Sequence, residues 1–540
     1  MNDMRTTFAI LPSLAVGAVS VLAASASSQP LRVSPLLTAN VANYEYPWPL
    51  RVVPTADDGF LLFWHDWIES ERVSVVMSKR FDSHGQPAGP ATRVSDRPLD
   101  TSGARWEMVS VVEDQRGGFQ LAWQVDSGDL AGDFAVRMLS SAGVPVGASQ
   151  LWLHTVAPTG SLWRLGTSSR AILWSPFHDP GRSLKVSCFS EDGVPTGTAE
   201  LAPLREGVLP IAQTFLPDAE GGVAFWAERA GEPIQTVFAS RVSSECRVET
   251  GPVPVSASND DLLIFGHLAA AADRGSQQIL LTVPTAEGLK AQVVLPNPLA
   301  ASPLPPLLLD DRRGHHPAVS PLADSGFLVS KMLQEYSRMN VWVQRVRIDE
   351  SGLLAEPHES LTANAEEEYN GMPTLTAFPS GKLLLAWARH HSNEYGQVTG
   401  QTSIVGNFLA EQCQTGPGIL CIDSVAGDGA FRLAIDFSTT QGGGLSGRAS
   451  AIPLAPLGVT RGGLFWFFGA DNPEVLAKVL DGCAINGKHW FFSSAGTNVG
   501  YRLTLLDTRT GASKTYANRD LVEAVPIQDS SALPCPAPPN

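Results

Sequence analysis

The stretch DDGFLLFW (Asp57–Trp64), followed after a polar loop by VSVVMSKRFDSHGQPAG (Val73–Gly89), decides the architecture. It reads as a tight turn, an apolar strand, a loop, a second strand, another tight turn and the start of a third strand. FLLFW is a continuous apolar run, the pattern of a strand buried on both faces. Gly85 supplies a positive-φ position, and the polar residues before it favour a turn.

The motif returns with a period of roughly 50–59 residues, the scale of a propeller blade. RGGFQLAW follows at Arg116–Trp123, SSRAILW ends at Trp174, EGGVAFW ends at Trp226 and PSGKLLLAW ends at Trp387. Two units lack the Trp: RGSQQILLTV from Arg274 and DSGFLVSK from Asp324. The second landmark, a strand running into a turn, recurs at Arg80–Gly89, Arg137–Gly147, Ser187–Gly197, Ser240–Gly251 and Val346–Glu356. A lone four-stranded sheet cannot bury both faces, so the units must close into a ring. The last unit runs out near Gly406, and PLRVSPL (Pro30–Leu36) repeats the form of TRVSD in the first unit. This N-terminal segment is therefore expected to complete the last blade as its outer strand. The fold expected is all-β: about seven propeller blades over residues 27–406, a linker at 407–419, a small β-sandwich at 420–530 and a Pro-rich tail at 531–540.

Composition agrees. Hydrophobic residues make up 44% of the 540 positions and charged residues 17%, with 49 Gly and 40 Pro, as a turn-rich all-β chain requires. The net charge of −16 argues against a nucleic-acid backbone or an anionic lipid surface as partner. Met1–Ala26 has a short polar start with Arg5, an apolar stretch from Phe8 to Ala23 and a small-x-small site at Ala24–Ala26. That is the form of a secretory signal peptide, so the chain is expected to be exported, whether extracellular, periplasmic or at the cell surface. No later stretch is long and apolar enough to cross a bilayer as a helix. In an oxidising compartment the six cysteines favour disulfides, and six cysteines allow 15 pairings. Cys413 with Cys421 across a Gly-Pro turn is the one the spacing favours; Cys483 with Cys535, tying down the tail, and Cys188 with Cys246, joining neighbouring repeats, would complete one such set. The rival zinc reading lacks any Cys-x-x-Cys or His-x-x-x-His spacing.

The C-terminal part changes character. FRLAIDF (Phe431–Phe437) and YRLTLLD (Tyr501–Asp507) alternate as half-buried antiparallel strands do. Trp466 and Trp490, among Phe465, Phe467, Phe491 and Phe492, read as core. The repeat units resemble the DGGF-x-x-x-W … RFD-x-x-G-x-P-x-G repeats of secreted bacterial proteins, which implies β-propeller blades over about Pro30–Val405. The segment from Thr55 is similar to the sialidase Asp box, but Leu62 stands where that motif has its aromatic residue. The sialidase set of three Arg, a Tyr–Glu pair and an Asp has no residue-by-residue counterpart. The C-terminal part resembles a module of secreted and surface bacterial proteins, on Leu420-Cys421-Ile422, Phe431-Arg432, Phe465–Phe468, Lys478–Gly482, Asn486-Gly487, Trp490, Asp507 and Thr510-Gly511. That resemblance implies location rather than an activity.

Conspicuous polar residues fall in the loops joining second to third strands and blade to blade, which share one face of a propeller. They are His65, Asp66, His178, Asp179, Glu335, Tyr336, Arg389, His390 and His391, with Asp310, Asp311, His315, His316, Glu366 and Glu367 between blades. A ligand or metal site at the channel mouth would draw on His65, Asp66, Asp310, Asp311, His315, His316, Glu366, Glu367, His390 and His391. Solvated loop charges are the plainer reading. Trp64, Trp123, Trp174, Trp226 and Trp387 end apolar strands, so they read as blade core rather than carbohydrate platforms. No cofactor is expected. Asp423, Asp428 and Asp436 do not match a calcium loop, so calcium has no motif behind it. The function expected is a non-catalytic binding or surface-structural protein whose partner is an extracellular protein or a glycan. The alternative is a carbohydrate-active hydrolase or lyase working at the propeller mouth.

Overall fold

The computed structural model describes residues 31–34, 37–42, 50–99, 109–125, 132–155, 161–166, 168–174, 183–203, 209–229, 235–256, 267–273, 277–312, 314–322, 326–335, 338–349, 352–362, 368–391, 402–411, 413, 415–423 and 429–535. The signal-peptide stretch 1–26 lies outside them. So do Pro30, His178, Asp179, Tyr336, Glu366, Glu367, Asp428 and the last five residues.

Among the described residues, seven antiparallel sheets of propeller-blade form follow one another along the chain. The first blade comprises Arg51–Pro54, Phe60–Ile68, Val73–Phe81 and Thr92–Arg93. The first strand of each blade packs beside that of the next, and the first strand of blade seven beside that of blade one, which closes the ring. The continuous apolar runs have the cause read from the sequence. In Phe60–Ile68, the side chains of Phe60, Leu62 and Trp64 pack toward blade seven, while Leu61 and Phe63 pack toward blade two. In Gly221–Arg229, Ala224 and Trp226 face blade three, and Val223, Phe225 and Ala227 face blade five. Successive strand residues point to opposite faces, and both faces meet a neighbouring sheet.

The turn landmark is built alike in the first three blades. The carbonyl at Asp82, Ser140 or Ser190 accepts the backbone N–H of Gly85, Gly143 or Gly193, each with φ between 76° and 83°. Blade four puts Cys246 at this position, with φ 64°. Glycine would suit that backbone better, but Cys246 reaches back to Cys188 in blade three to form an inter-blade disulfide. Cys413–Cys421 and Cys483–Cys535 are also bonded.

Blade seven consists of Glu368–Ala377, Leu383–His391 and Thr402–Glu411, and its outer position is taken by the N-terminal strands Leu31–Val33 and Leu37–Ala42. Leu31 aligns with Glu411, and Thr38 with Val405. The third strand runs past Gly406 to Glu411, into the stretch expected as linker. Phe408 and Leu409 are buried there and pair with Leu384 and Leu383, so these residues belong to the blade.

From Leu420 onward two five-stranded sheets stack face to face around one core that includes Leu433, Ile435, Phe465, Phe467, Phe491 and Leu503. Trp466 and Trp490 are not in that core. Strand alternation turns Phe465, Phe467 and Phe491 inward and leaves both Trp half-buried on the outer face. The last strand, Ile527–Pro534, pairs with Lys488–Ala495 and buries Ala532 and Leu533, so residues 531–534 form sheet rather than a free tail.

The sandwich is anchored at the seam between blades seven and one. Lys382, in the blade-seven turn, is fully enclosed; its Nζ lies 3.2 Å from Asp58 Oδ2 and donates to Ser83 O at 2.7 Å and to Ser513 Oγ of the sandwich at 3.0 Å. Ser513 Oγ in turn donates to Asp58. The ammonium also faces the Phe378 and Phe408 rings, at 4.9 and 4.6 Å from their centroids.

Candidate functional site

The residues expected at a channel mouth divide into groups with structural partners, the exposed Asp311, and groups outside the described side chains. His65 and Asp66 were expected in an open loop, but Phe60–Ile68 continues through them and both are buried. Asp66 accepts the Trp64 indole N–H at 3.4 Å and the Trp67 backbone N–H at 2.9 Å. The same arrangement recurs where Trp226 donates to Glu228 at 3.0 Å, and Trp387 donates to Asn370 at 2.9 Å. A buried indole N–H needs an acceptor, and a nearby polar residue supplies it at these three Trp.

Asp310 is also enclosed. It accepts from the Arg312 backbone N–H at 2.9 Å, from Arg312 Nε at 3.0 Å and from Lys331 Nζ at 2.9 Å. Burial alone would push its carboxyl up, but these donors hold it well below the usual carboxylate range. Lys331, on the second strand of blade six, is pushed down by burial and also donates to Gln344 at 3.1 Å. The Arg312 guanidinium lies 5.0 Å from the Trp342 ring centroid. Asp310 thus joins blade five to blade six. Asp311 is exposed beside it. His316, on the first strand of blade six, faces His267 at the start of blade five, with ring centroids 4.7 Å apart. His390 is buried and pairs in register with Tyr369, as His391 does with Glu368. His315 also lies on a strand, but its side chain and those of His391 and Glu335 are outside the described set. Strand ends therefore hold several residues that their position in the repeat placed in loops.

An open cleft lies instead at one end of the β-sandwich. Its volume is about 910 Å³. The strand Phe431–Thr439 leads into a turn, Gln441–Gly444, in which Gly442, Gly443 and Gly444 all have positive φ. This turn forms one rim. The segments after Trp466 and Ala495 and the loop around Glu523 complete the cleft. Phe468 is half-exposed, and its ring stands edge-on against Phe437 at 5.5 Å and Phe467 at 6.2 Å. Gln441, Asn472, Thr497 and Asn498 contribute amides and a hydroxyl, and Leu445 adds an exposed apolar edge.

The cleft is braced from below. Glu474 is buried, which pushes its carboxyl up; it accepts the Phe467 backbone N–H at 2.7 Å and the Asn472 amide at 2.9 Å. Asp520 accepts the backbone N–H and the hydroxyl of Thr440, both at 2.8 Å, and the Gly500 N–H at 3.3 Å. These donors, the Thr440 backbone first, hold Asp520 at about 2. Asn518 donates to the carbonyls of Val499 and Val522. Three rim loops are thereby tied together, and the Phe468 ring is held on a fixed strand end. Among the lining residues Glu474 and Glu523 are acidic and none is Lys or Arg.

The sequence reading missed this cleft. Two signals in the sequence bear on it: FWFFG places Phe468 immediately before a glycine at a strand end, and Gln441–Gly447 is too rich in glycine to pack a core. Loops from four separate segments make the wall, and their convergence is a tertiary property.

No family model matches the chain, and no curated protein does. Solved structures similar to it include a protein of unknown function from Dyadobacter fermentans, at 11% identity and TM-score 0.43 over 71% of this chain and 99% of that one. Another is the β-propeller domain of the Trilobed protease from Pyrococcus furiosus, at 10% identity and TM-score 0.39 over 66% and 93%. A third is the polysaccharide lyase Uly1, at 9% identity and TM-score 0.43 over 70% and 99%. Such distant likenesses bear on neither ligand nor activity. The strands and their pairing make the chain a seven-bladed β-propeller carrying a C-terminal β-sandwich.

Proposed function

We propose that the chain is an exported, non-catalytic binding protein in which the propeller is the scaffold and the sandwich cleft takes a segment of a neutral glycan. The observation that carries this reading is the lining of the cleft: a half-exposed Phe468 ring among amides and a hydroxyl, with no cationic side chain. An aromatic face with fixed polar groups around it suits a sugar ring, which is apolar on one face and hydroxylated at its edge. Absence of Lys and Arg from the lining disfavours phosphate or carboxylate ligands. Export is supported by the three disulfides, which form and persist in oxidising compartments.

Isothermal titration against a panel of neutral oligosaccharides tests the reading. A ligand is expected whose affinity falls about tenfold, equivalent to about 1.4 kcal/mol, in Phe468→Ala. Circular dichroism of the variant should be unchanged, because the ring is half-exposed. Binding that ignores Phe468→Ala, or a panel with no ligand, removes the reading. A second reading, a carbohydrate-active hydrolase or lyase at the propeller mouth, draws on the His267–His316 pair. It requires polysaccharide cleavage that disappears in His316→Ala.

A further inference from the structure

At the other side of the sandwich four potential metal ligands meet. Asp481 ends the strand Val475–Gly482, Cys483 opens the helical turn Cys483–Asn486, and His489 lies near the start of the strand Lys488–Ala495. Cys535 follows the last strand and donates its backbone N–H to Gly487 O at 3.1 Å. The ligand atoms of these four residues all lie within 4.8 Å of one another. Cys483 Sγ is 3.9 Å from His489 Nδ1 and 3.8 Å from Nε2. A tetrahedral zinc site with ordinary bond lengths has ligand–ligand edges of about 3.3–3.8 Å.

The surroundings suit such a site. His489 is buried, with its ring edge-on to Phe431 at 4.8 Å, which fixes its plane. Asp481 is exposed, and one of its oxygens accepts the Cys483 backbone N–H at 2.8 Å, which holds the carboxylate beside the cysteine. Arg509 approaches His489 Nε2 at 3.3 Å and keeps Asp507 at 2.8 Å without that contact, so it can yield the imidazole nitrogen. Two thiolates and a carboxylate around a divalent ion leave one negative charge, and the Arg509 guanidinium stands beside it.

We propose that the Cys483–Cys535 clamp has a second, metal-holding form: once the disulfide is reduced, Cys483, Cys535, His489 and Asp481 bind one zinc ion. A small dithiol is the reductant. Its two sulfurs join in a disulfide, the Cys483–Cys535 bond breaks, and the two dithiol protons pass to the cysteine sulfurs. Zinc then displaces those two protons to water, because ligating sulfur is thiolate. Sulfur and imidazole donors favour zinc over calcium or magnesium. Disulfide and metal exclude each other, and either one ties the strand Ile527–Pro534 to the hairpin that contains Gly487. The tail would stay docked in an oxidising compartment and in a reducing, zinc-containing one.

Cobalt titration of the intact chain tests this. The protein is reduced with a phosphine, desalted without oxygen, and titrated beside an untreated sample. The reduced chain is expected to bind one cobalt, with a sulfur-to-cobalt charge-transfer band and the strong visible absorption of a tetrahedral ion; zinc should abolish both. The oxidised chain should show neither. His489→Ala and Asp481→Asn should each weaken the affinity about tenfold or more. If reduction unfolds the sandwich, zinc should restore its near-ultraviolet circular dichroism. A reduced chain that neither binds cobalt nor regains structure with zinc overturns the proposal. So does a band unchanged by both variants, since the thiols of Cys188, Cys246, Cys413 and Cys421 would then be its source.

Discussion

Asp529 illustrates how single side chains set the stability of the C-terminal module. Burial would raise its carboxyl, but Lys514 donates to it at 2.6 Å, Tyr516 at 2.7 Å and the Ser531 backbone N–H at 2.9 Å, which hold it at about 2, below the ordinary 3.8. Tyr516 is correspondingly pushed up, by burial first and then by its bond to Asp529. A carboxylate with a depressed folded value contributes stability that is complete above its unfolded value and disappears as pH falls through the folded one. Asp529→Asn should therefore cost about 1–3 kcal/mol near neutral pH, measured by urea unfolding. Between about pH 4 and pH 2 the difference from the unsubstituted chain should shrink toward zero. A difference that persists at the acid end would show that the interaction does not depend on the charge.

At the scale of strands, the same residue type has opposite roles in the two halves of the chain. Trp226 ends an apolar run, is fully buried and packs against residues of blade three. Trp490 sits in an alternating strand and faces outward, donating to Asn486 at 3.0 Å. Trp226→Ala should cost about 3–5 kcal/mol, and Trp490→Ala about 1 kcal/mol. Thermal melts of the two variants check this, and equal losses would contradict the strand-facing assignment. The sequence separates them only in part: FWAE follows an apolar Gly-Gly-Val-Ala, whereas KHWFFSS alternates polar and apolar incompletely. Because Phe491 and Phe492 adjoin Trp490, the run gave the outward residue the look of core. Only the pairing of Phe491 with Val479 inside the sandwich decided which face each ring takes.

The whole molecule depends on a seam where three distant parts of the chain meet. Blade seven contributes Lys382, blade one Asp58 and Ser83, and the sandwich Ser513. The N-terminal segment closes the same blade: Ser34 Oγ accepts the Phe408 backbone N–H at 2.9 Å, and Ser34 O accepts the Asn407 amide at 2.8 Å. Burial pushes the Lys382 ammonium down, and Asp58 opposes that. Lys382→Met removes one partner and leaves Asp58 enclosed without its cation, so it should destabilise the chain by about 3–5 kcal/mol. Adding Asp58→Asn should recover part of the loss. Guanidinium unfolding gives the energies, and limited proteolysis should release the sandwich earlier in the single variant. A Lys382→Met chain as stable as the parent would mean that the seam is held by apolar packing alone.

The sequence by itself determined the repeat, the doubly buried strands and the glycine turns, and it favoured Cys413 with Cys421 across a short turn; which of the remaining cysteines pair was decided by the fold. Each of these is a local pattern or a spacing, and the physics behind it acts over a few residues or one blade period. The ring-closing role of the N-terminus was also legible, because an incomplete last unit and a spare strand at the start complement each other. Whether His65, Asp66, Asp310 and His390 are free to meet a ligand was decided only by tertiary structure. A loop charge and a buried charge look the same in sequence, and the difference lies in whether the fold turns an indole or an arginine two residues away, or a lysine of the next blade, against it. The sandwich cleft has the same origin, because it joins segments of both sheets that meet only when the sheets stack; Asp481, Cys483 and His489 are close in the chain, and the pairing of the last strand with Lys488–Ala495 brings Cys535 to them.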